Sequence, residues 1–324
     1  MKYAALALLC AAAAFLGSRA LVRREPARAP ADVWSNDYER YRTPARVEVQ
    51  WRENRGHAFS LKDRDENAVP KLRPVPGGCL ICHAAGGQFE KLSYYELRER
   101  VREPIGCEDC HQPHSAGLRL TRPALLAGRT GDLRVLVCAQ CHGEYYFEKG
   151  EVARPWSRGL RAEDIEAHYD ALGYSDHPDP RTGTPLLAIR HPQFEMWSQG
   201  THAAAGVACA DCHMPRERRG AMRVTDHRAG SPLAAGARAC AACHREAARE
   251  MLERARAIQQ RTERAMARAE AAMTAGGPLR RKAQLRLDMV RSDGSRGFHA
   301  PHEALRLLGE ATDFARQAQI EAAR

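Results

Sequence analysis

Aromatic residues are scarce in this chain, 6% of its 324 residues. Hydrophobic residues reach an ordinary 44%, but the mean hydropathy is −0.54. A large conventional core built on Phe, Tyr and Trp is therefore not the natural reading. Long apolar runs are missing too: only the first 22 residues hold one, which excludes a bundle of membrane spans. The formal net charge is +10, yet no five like charges follow one another. The densest basic stretches are Arg23-Arg24 and Arg280-Arg281-Lys282, which solvated flanks and helix faces account for. Nothing here marks a nucleic-acid partner.

The apolar run follows Met1-Lys2, extends from Tyr3 to Gly17, and leads into Ser18-Arg19-Ala20 and Arg23-Arg24. A basic start, an apolar middle and small residues before a cleavage point describe a secretory signal. An uncleaved anchor ending near Val22 is the rival, because the run nearly reaches the ~20 residues of a membrane span. Cys10 follows Leu9, larger than the small residue lipidation sites use, and reads as an apolar member of the segment. Residues 1–22 thus point to export into the periplasm, either free or tethered.

The other ten cysteines all stand in Cys-x-x-Cys-His. The five motifs are Cys79-Leu-Ile-Cys82-His83, Cys107-Glu-Asp-Cys110-His111, Cys138-Ala-Gln-Cys141-His142, Cys209-Ala-Asp-Cys212-His213 and Cys240-Ala-Ala-Cys243-His244. From the chain's own Cys and His frequencies, about 0.02 such motifs are expected by chance. Disulfides give no reason for a histidine after every second cysteine. Zinc favours paired Cys-x-x-Cys units closing four-ligand sites, and a redox dithiol needs one motif on a thioredoxin-like pattern, not five. Two thiols at this spacing attach a haem through its vinyl groups, and the adjacent histidine reaches the iron. Five c-type haems then supply the apolar surface that aromatics do not, and their propionates offer partners for the excess arginine.

With His83, His111, His142, His213 and His244 assigned as proximal ligands, nine histidines remain: His57, His114, His168, His177, His191, His202, His227, His299 and His302. An electron carrier saturates both axial positions of every iron, whereas an enzyme leaves one open. Nine histidines are more than enough for five distal positions, so counting does not choose.

The chain resembles the ammonia-forming cytochrome c nitrite reductases, the pentahaem cytochrome c552 family, from about Trp34 to Ile320. The resemblance rests on Arg55-Gly-His57-Ala-Phe59, Leu118-Arg-Leu-Thr-Arg-Pro123, Val137-Cys-Ala-Gln-Cys-His-Gly-Glu-Tyr-Tyr-Phe147 and His191-Pro-Gln-Phe-Glu-Met-Trp197. Gly200-Thr-His202, Cys209-Ala-Asp-Cys-His-Met-Pro215, Asp226-His227 and Gly297-Phe-His-Ala-Pro301 extend it. It implies that His227 completes the haem of Cys107/Cys110, His57 that of Cys138/Cys141, His299 that of Cys209/Cys212 and His202 that of Cys240/Cys243. The haem of Cys79/Cys82 would keep an open face for nitrite. Tyr145 and His191 would donate protons there while six electrons and eight protons convert nitrite to ammonium. His114, His168, His177 and His302 match no ligand position.

Three departures from the family pattern stand out. His83 replaces the lysine usual at the active haem. The family's arginine falls at Val69, leaving Arg64, Lys71 and Arg73 as candidates. The family's calcium site uses the Glu beside the catalytic Tyr, kept here as Glu144, but its Lys and Gln are Ala188 and Arg190. Arginine cannot ligate a cation, so calcium is not expected, and Arg190 would replace it electrostatically.

From Trp34 to His244 glycine and proline are frequent, and short helical pieces are expected after each motif. Glu246 to Ala275 contains neither and predicts a long helix ended by Gly276-Gly277. Further helices are expected from Leu279 to about Arg291 and from Pro301 onward, the last with an apolar stripe of Leu305, Leu308, Ala311, Phe314, Ala315 and Ala318. The fold class is mainly α, a multihaem cytochrome c with a haem-packed core, little β-structure and long C-terminal helices. Its expected regions are 1–22 leader or anchor, 23–245 pentahaem catalytic region and 246–324 helical region. The resemblance adds a homodimer through those helices and a membrane quinol-oxidising multihaem cytochrome as electron donor. Hydroxylamine and, more weakly, sulfite are alternative substrates. A multihaem electron-transfer cytochrome without its own catalysis is the rival reading.

Overall fold

A Cys-x-x-Cys-His run suits one helical turn, because residues i, i+3 and i+4 share a face and send both thiols and the imidazole the same way. The computed structural model describes residues 57–61, 77–86, 101, 103–219, 221–227 and 229–324, all within the unit Pro44–Arg324. It folds every motif in this manner. The first occupies the turns Gly77–Cys79 and Leu80–His83, the fourth the turn Cys209–His213. In the others the histidine N–H closes the turn onto the first cysteine: His111 to Cys107 at 2.9 Å, His142 to Cys138 at 2.8 Å and His244 to Cys240 at 2.8 Å. The helical pieces expected after the motifs are thus largely the motifs themselves.

Leu133–Ala139 forms α1, started by Asp132, whose carboxylate accepts from the Arg134 N–H. Behind it, β1 (Tyr146–Glu148) and β2 (Glu151–Ala153) make an antiparallel hairpin pairing Tyr146 with Ala153. Helices α2 (Ala162–Leu172) and α3 (Gln193–Ser198) flank a two-residue hairpin of β3 (His177–Pro178) and β4 (Pro185–Leu186). A third hairpin, β5 (Arg216–Arg219) and β6 (Met222–Thr225), follows. No larger sheet occurs among the described residues, and the fold is mainly α.

Helix α4 (Ala248–Ala272) begins and ends within three residues of the sequence expectation. Its buried Met251, Ala255, Thr262, Ala265 and Ala269 recur at three, four or seven residues, a single stripe. Gly277, at φ +93°, turns the chain in a conformation that L side chains rarely adopt, and Pro278 opens α5 (Pro278–Ser292). Helix α5 packs on α4, on α2 and on α6 (Pro301–Ala322), so Ala283, Leu285, Leu287, Met289 and Val290 are all buried. In α6 the buried stripe is Ala304, Leu307, Leu308, Ala311, Ala315 and Ala318. Leu305 and Phe314, expected inside, are half-buried at its rim, because contact with both α4 and α5 shifts the apolar arc toward Leu307.

These helices, with Tyr146, Ile165, Tyr169, Leu187 and Met196, form a protein core of their own. The second, smaller cluster lies beside the motifs and consists of Leu126, Leu136 and Ala139. Several arginines are engaged within this protein core, among them Arg280, which the sequence places on a solvated helix face but which is buried. Buried Arg286 joins Glu166 at 2.9 Å and Glu310 at 2.6 Å, tying α2, α5 and α6 together, and Arg280 pairs with Asp179 at 3.1 Å. No helix among the described residues is long and apolar enough to cross a membrane. Residues 1–22, Val69, Arg64, Lys71 and Arg73 lie outside the described residues.

Candidate active site

Eight of the histidines singled out in the sequence stand as four facing pairs. Ring centroids are 6.0 Å apart for His57 and His142, 6.1 Å for His111 and His227, 6.1 Å for His213 and His299, and 6.3 Å for His202 and His244. Two imidazoles bound through nitrogen at about 2 Å to opposite faces of one metal bring their centroids to about 6 Å. None of the ten motif cysteines is joined in a disulfide. Cysteines outside disulfides beside facing imidazoles fit a covalently attached haem.

Hydrogen bonds at the second ring nitrogen fix several of these rings. His83 Nδ1 meets the Ser60 carbonyl at 3.0 Å, His111 that of Ala116 at 3.2 Å, His213 that of Gly230 at 3.1 Å and His227 that of Thr225 at 2.9 Å. His299 Nδ1 meets the carboxylate of Asp293 at 2.6 Å. His299 is also held by a close backbone approach: a Cβ on Gly200 would overlap the His299 carbonyl oxygen. His114, His177 and His302 are exposed, and His168 bonds the Ser157 hydroxyl at 2.6 Å.

At the first motif the β1–β2 hairpin closes over the chain. A Cβ on Gly78 would lie 3.0 Å from the Phe147 ring and 3.1 Å from Val152. The same hairpin carries Tyr145 in beside Cys79 and Cys82, and its ring stacks on His191 with centroids 5.9 Å apart and planes 16° from parallel. Burial, with Cys79 next in effect, raises the Tyr145 pKa, so the phenol keeps its proton. Burial pushes His191 down to about 4, with the charges of His83, Arg154 and Arg190 adding to the push.

Glu144 is fully buried between these two residues and the protein core. Its Oε2 accepts from the backbone N–H of Arg190 at 2.7 Å and of His191 at 3.1 Å, and the Tyr169 hydroxyl donates to Oε1 at 3.4 Å. Burial pushes its carboxyl up to about 8, against the pull of the Arg190 N–H. The Arg190 guanidinium does not pair with Glu144. It pairs with Asp176 at 2.5 Å, donates to the carbonyls of Ala188 at 2.7 Å and Tyr145 at 3.3 Å, and lies 5.4 Å from the Tyr145 ring centroid.

The sequence reading missed several residues that build this site. Asp176 anchors Arg190 from the segment before β3. Arg122, buried with Asp109 at 2.8 Å, also donates to the carbonyls of Ile81 and Ala84, and so joins the first motif to the second. Arg154 donates to the carbonyls of Leu125, Ala139, Gln140, Gly143 and Glu144. Arg122 did lie in a motif carrying the family resemblance, whereas Asp176 and Arg154 stand in no motif.

The model of the cytochrome c552 family matches residues 47–279 and 270–324. A cytochrome c-552 of Parabacteroides distasonis is 35% identical over 320 residues, covering 83% of this chain and 65% of the relative. One from Porphyromonas gingivalis is 37% identical over 321 residues, covering 83% of this chain and 64% of the relative. The chain therefore spans a little under two thirds of the length of these relatives. Among solved structures, the catalytic subunit NrfA of cytochrome c nitrite reductase from Desulfovibrio desulfuricans, described with two calcium sites, superposes with a TM-score of 0.71 at 26% identity. That match covers 83% of this chain and 71% of NrfA. The outer cell wall cytochrome OcwA shares the fold at a TM-score of 0.52 and 19% identity, over 80% of this chain and 48% of that one. By its motifs, its facing imidazoles and the extent of the family match, this chain belongs to the cytochrome c552 family, whose haems are covalently bound c-type haems.

Proposed function

We propose that this chain is an exported pentahaem enzyme that reduces nitrite to ammonium at its first motif. The observation that carries the reading is a contrast in side chains. Four motif histidines each face a second histidine at 6.0–6.3 Å, whereas Tyr145 and His191 are stacked beside the first motif. A haem bound there supplies electrons and a face at which an anion can bind. The reaction balances as nitrite plus six electrons and eight protons giving ammonium and two waters.

Tyr145 holds its proton at neutral pH and presents it from a buried hydroxyl, and His191 at its side can pass protons inward. Arg190 over the Tyr145 ring and Arg154, whose charge is felt at His191, give the pocket the positive potential that an anion needs. Electrons from a membrane quinol-oxidising multihaem cytochrome would pass through the other four haems. Cys82 lies beside Cys141, Cys138 beside Cys209, and Cys240 and Cys243 near Cys212. The first, third, fourth and fifth motifs are therefore neighbours in that order. Residues 1–22 serve as signal or anchor, 23–245 carry the haems, and 246–324 provide a homodimer interface. Arg190 stands in for calcium, its guanidinium drawing in the carbonyls of Tyr145 and Ala188.

The test is nitrite turnover by haem-loaded protein with reduced viologen, with ammonium quantified. Tyr145→Phe is expected to lose about a hundredfold or more in kcat with haem content unchanged. A protein loaded with five haems that converts no nitrite, and whose spectrum does not respond to nitrite or cyanide, overturns the reading in favour of an electron carrier. Stoichiometric bound calcium overturns the role given to Arg190.

A further inference from the structure

Asp293 breaks two local rules at once. It is 2% exposed, and it follows the last residue of α5, where the negative end of the helix dipole disfavours a carboxylate. No lysine or arginine among the described residues reaches it within salt-bridge distance; its ion pair is with His299. Its Oδ1 takes the His299 Nδ1 at 2.6 Å, its Oδ2 accepts from the Ser295 hydroxyl, and the Ser295 Oγ accepts from the His299 N–H at 3.1 Å. A costly placement locked by three hydrogen bonds around one imidazole points to a role for that imidazole.

We propose that Asp293 sets the reduction potential at the His213–His299 pair, holding it below the value it would have with a neutral partner. The inference rests on the haem assignment above. With His299 Nε2 turned to the metal, Nδ1 must carry the ring proton and donates it to Asp293. A full carboxylate charge at this distance makes the imidazole a stronger donor, and a buried negative charge near the metal opposes the arrival of an electron. Both effects favour the ferric state. The couple is a one-electron gain supplied by the external donor, and the bonds of the Asp293–His299–Ser295 cluster stay intact. His213, across the pair, meets a backbone carbonyl, as do His83, His111 and His227 at their own Nδ1 atoms. Glu246 stands 3.8 Å from His244 Nδ1, beyond hydrogen-bond reach, whereas Asp293 is hydrogen-bonded to its imidazole at 2.6 Å.

The experiment is a spectroscopic redox titration of haem-loaded wild type, Asp293→Asn and Ser295→Ala, with low-spin ferric signals followed by electron paramagnetic resonance. Asp293→Asn keeps the shape and a hydrogen-bond acceptor but removes the charge. One haem is expected to become at least tenfold easier to reduce, about 59 mV upward, with its low-spin signal altered and the other four unmoved. Ser295→Ala takes a neutral donor from the carboxylate and concentrates its charge on Oδ1, so the same potential must fall. Five potentials unchanged in Asp293→Asn overturn the proposal, as does a shift spread evenly over all haems. Should Asp293→Asn fail to load haem, an unmoved potential in Ser295→Ala overturns it instead. Haem counts and low-spin signals of the wild type test the underlying assignment separately, and neither readout depends on nitrite turnover.

Discussion

Replacing Arg190 by glutamine tests whether a guanidinium has taken over the work of a cation. Its side chain is 20% exposed and that of Asp176 11%, so the pair is mostly but not fully buried. Removing one member of a fully buried pair costs about 3–5 kcal/mol. Here Asp176 keeps the Tyr174 hydroxyl at 3.1 Å and the Ala188 N–H at 2.8 Å, and partial solvation lowers the cost further. About 2–3 kcal/mol is the expected loss. At about 2 °C per kcal/mol for a chain of this size, the unfolding midpoint should fall by about 5 °C. The vacated space is lined by the carboxylate of Asp176 and by the carbonyls of Tyr145 and Ala188, and glutamine adds another oxygen. That is a hard oxygen set suited to calcium. Calcium at a hundred times its dissociation constant would return about 2.7 kcal/mol, nearly the whole loss. Calorimetry with calcium or with chelator should therefore show Arg190→Gln rescued by calcium and the wild type indifferent, and nitrite turnover should follow the same pattern. An Arg190→Gln protein as stable as wild type in chelator, or a wild type stabilised by calcium, refutes the reasoning.

Three other perturbations have defined outcomes. Gly200→Ala places a Cβ on the His299 carbonyl, so haem content measured as pyridine haemochrome should drop below that of wild type; full loading would show that the backbone can give way. Arg286→Ala leaves buried Glu166 with Lys282 alone, at 3.6 Å, and should cost about 3 kcal/mol in chemical denaturation, the low end for a broken buried pair, while the Arg286→Met, Glu166→Leu double variant recovers most of it. Burial pushes Glu195 up to about 7, so between about pH 4.5 and 7 the native state holds a proton that the unfolded chain has released. The Glu195 contribution should fall as pH rises through that window, by about 3 kcal/mol at most, and Glu195→Gln should remove that part of the fall while the part due to Glu144, pushed up to about 8, persists.

What the sequence made legible was covalent and local. A Cys-x-x-Cys-His spacing states its own helical turn, and a glycine- and proline-free run states a helix, so the motifs and α4–α6 were readable to within a few residues. The distal histidines are a different matter. His57 lies 85 residues from His142 and His299 86 from His213, and no periodicity links them; only the family resemblance suggested the pairs that the structure sets face to face. Asp176 and Asp293 were illegible for a further reason. Each is an isolated acidic residue whose importance comes from what it meets in space, and neither has a spacing that marks it. The number of arginines does not say what each one meets: Arg280 and Arg286 are engaged with buried carboxylates and Arg306 with the more exposed Glu163.

The placement of charge gives the relay a direction. Around the first motif stand three buried or half-buried guanidinium groups: Arg122, paired with Asp109, and Arg154, both acting on Cys82, and Arg190, paired with Asp176, above Tyr145. Arg154 is bound by carbonyl oxygens, so its charge is softened by dipoles but not cancelled by a carboxylate. At the fourth motif the buried charge is the carboxylate of Asp293. Positive charge favours the reduced state of a nearby metal and negative charge the oxidised one. On the proposed function, an electron entering near the fifth or fourth motif would move toward the first along a falling electrostatic gradient, and the charge that draws it there would also hold the anionic substrate. The candidates for the family's arginine lie outside the described residues, whereas Arg122, Arg154 and Arg190 stand in the segments between helices that border the first motif.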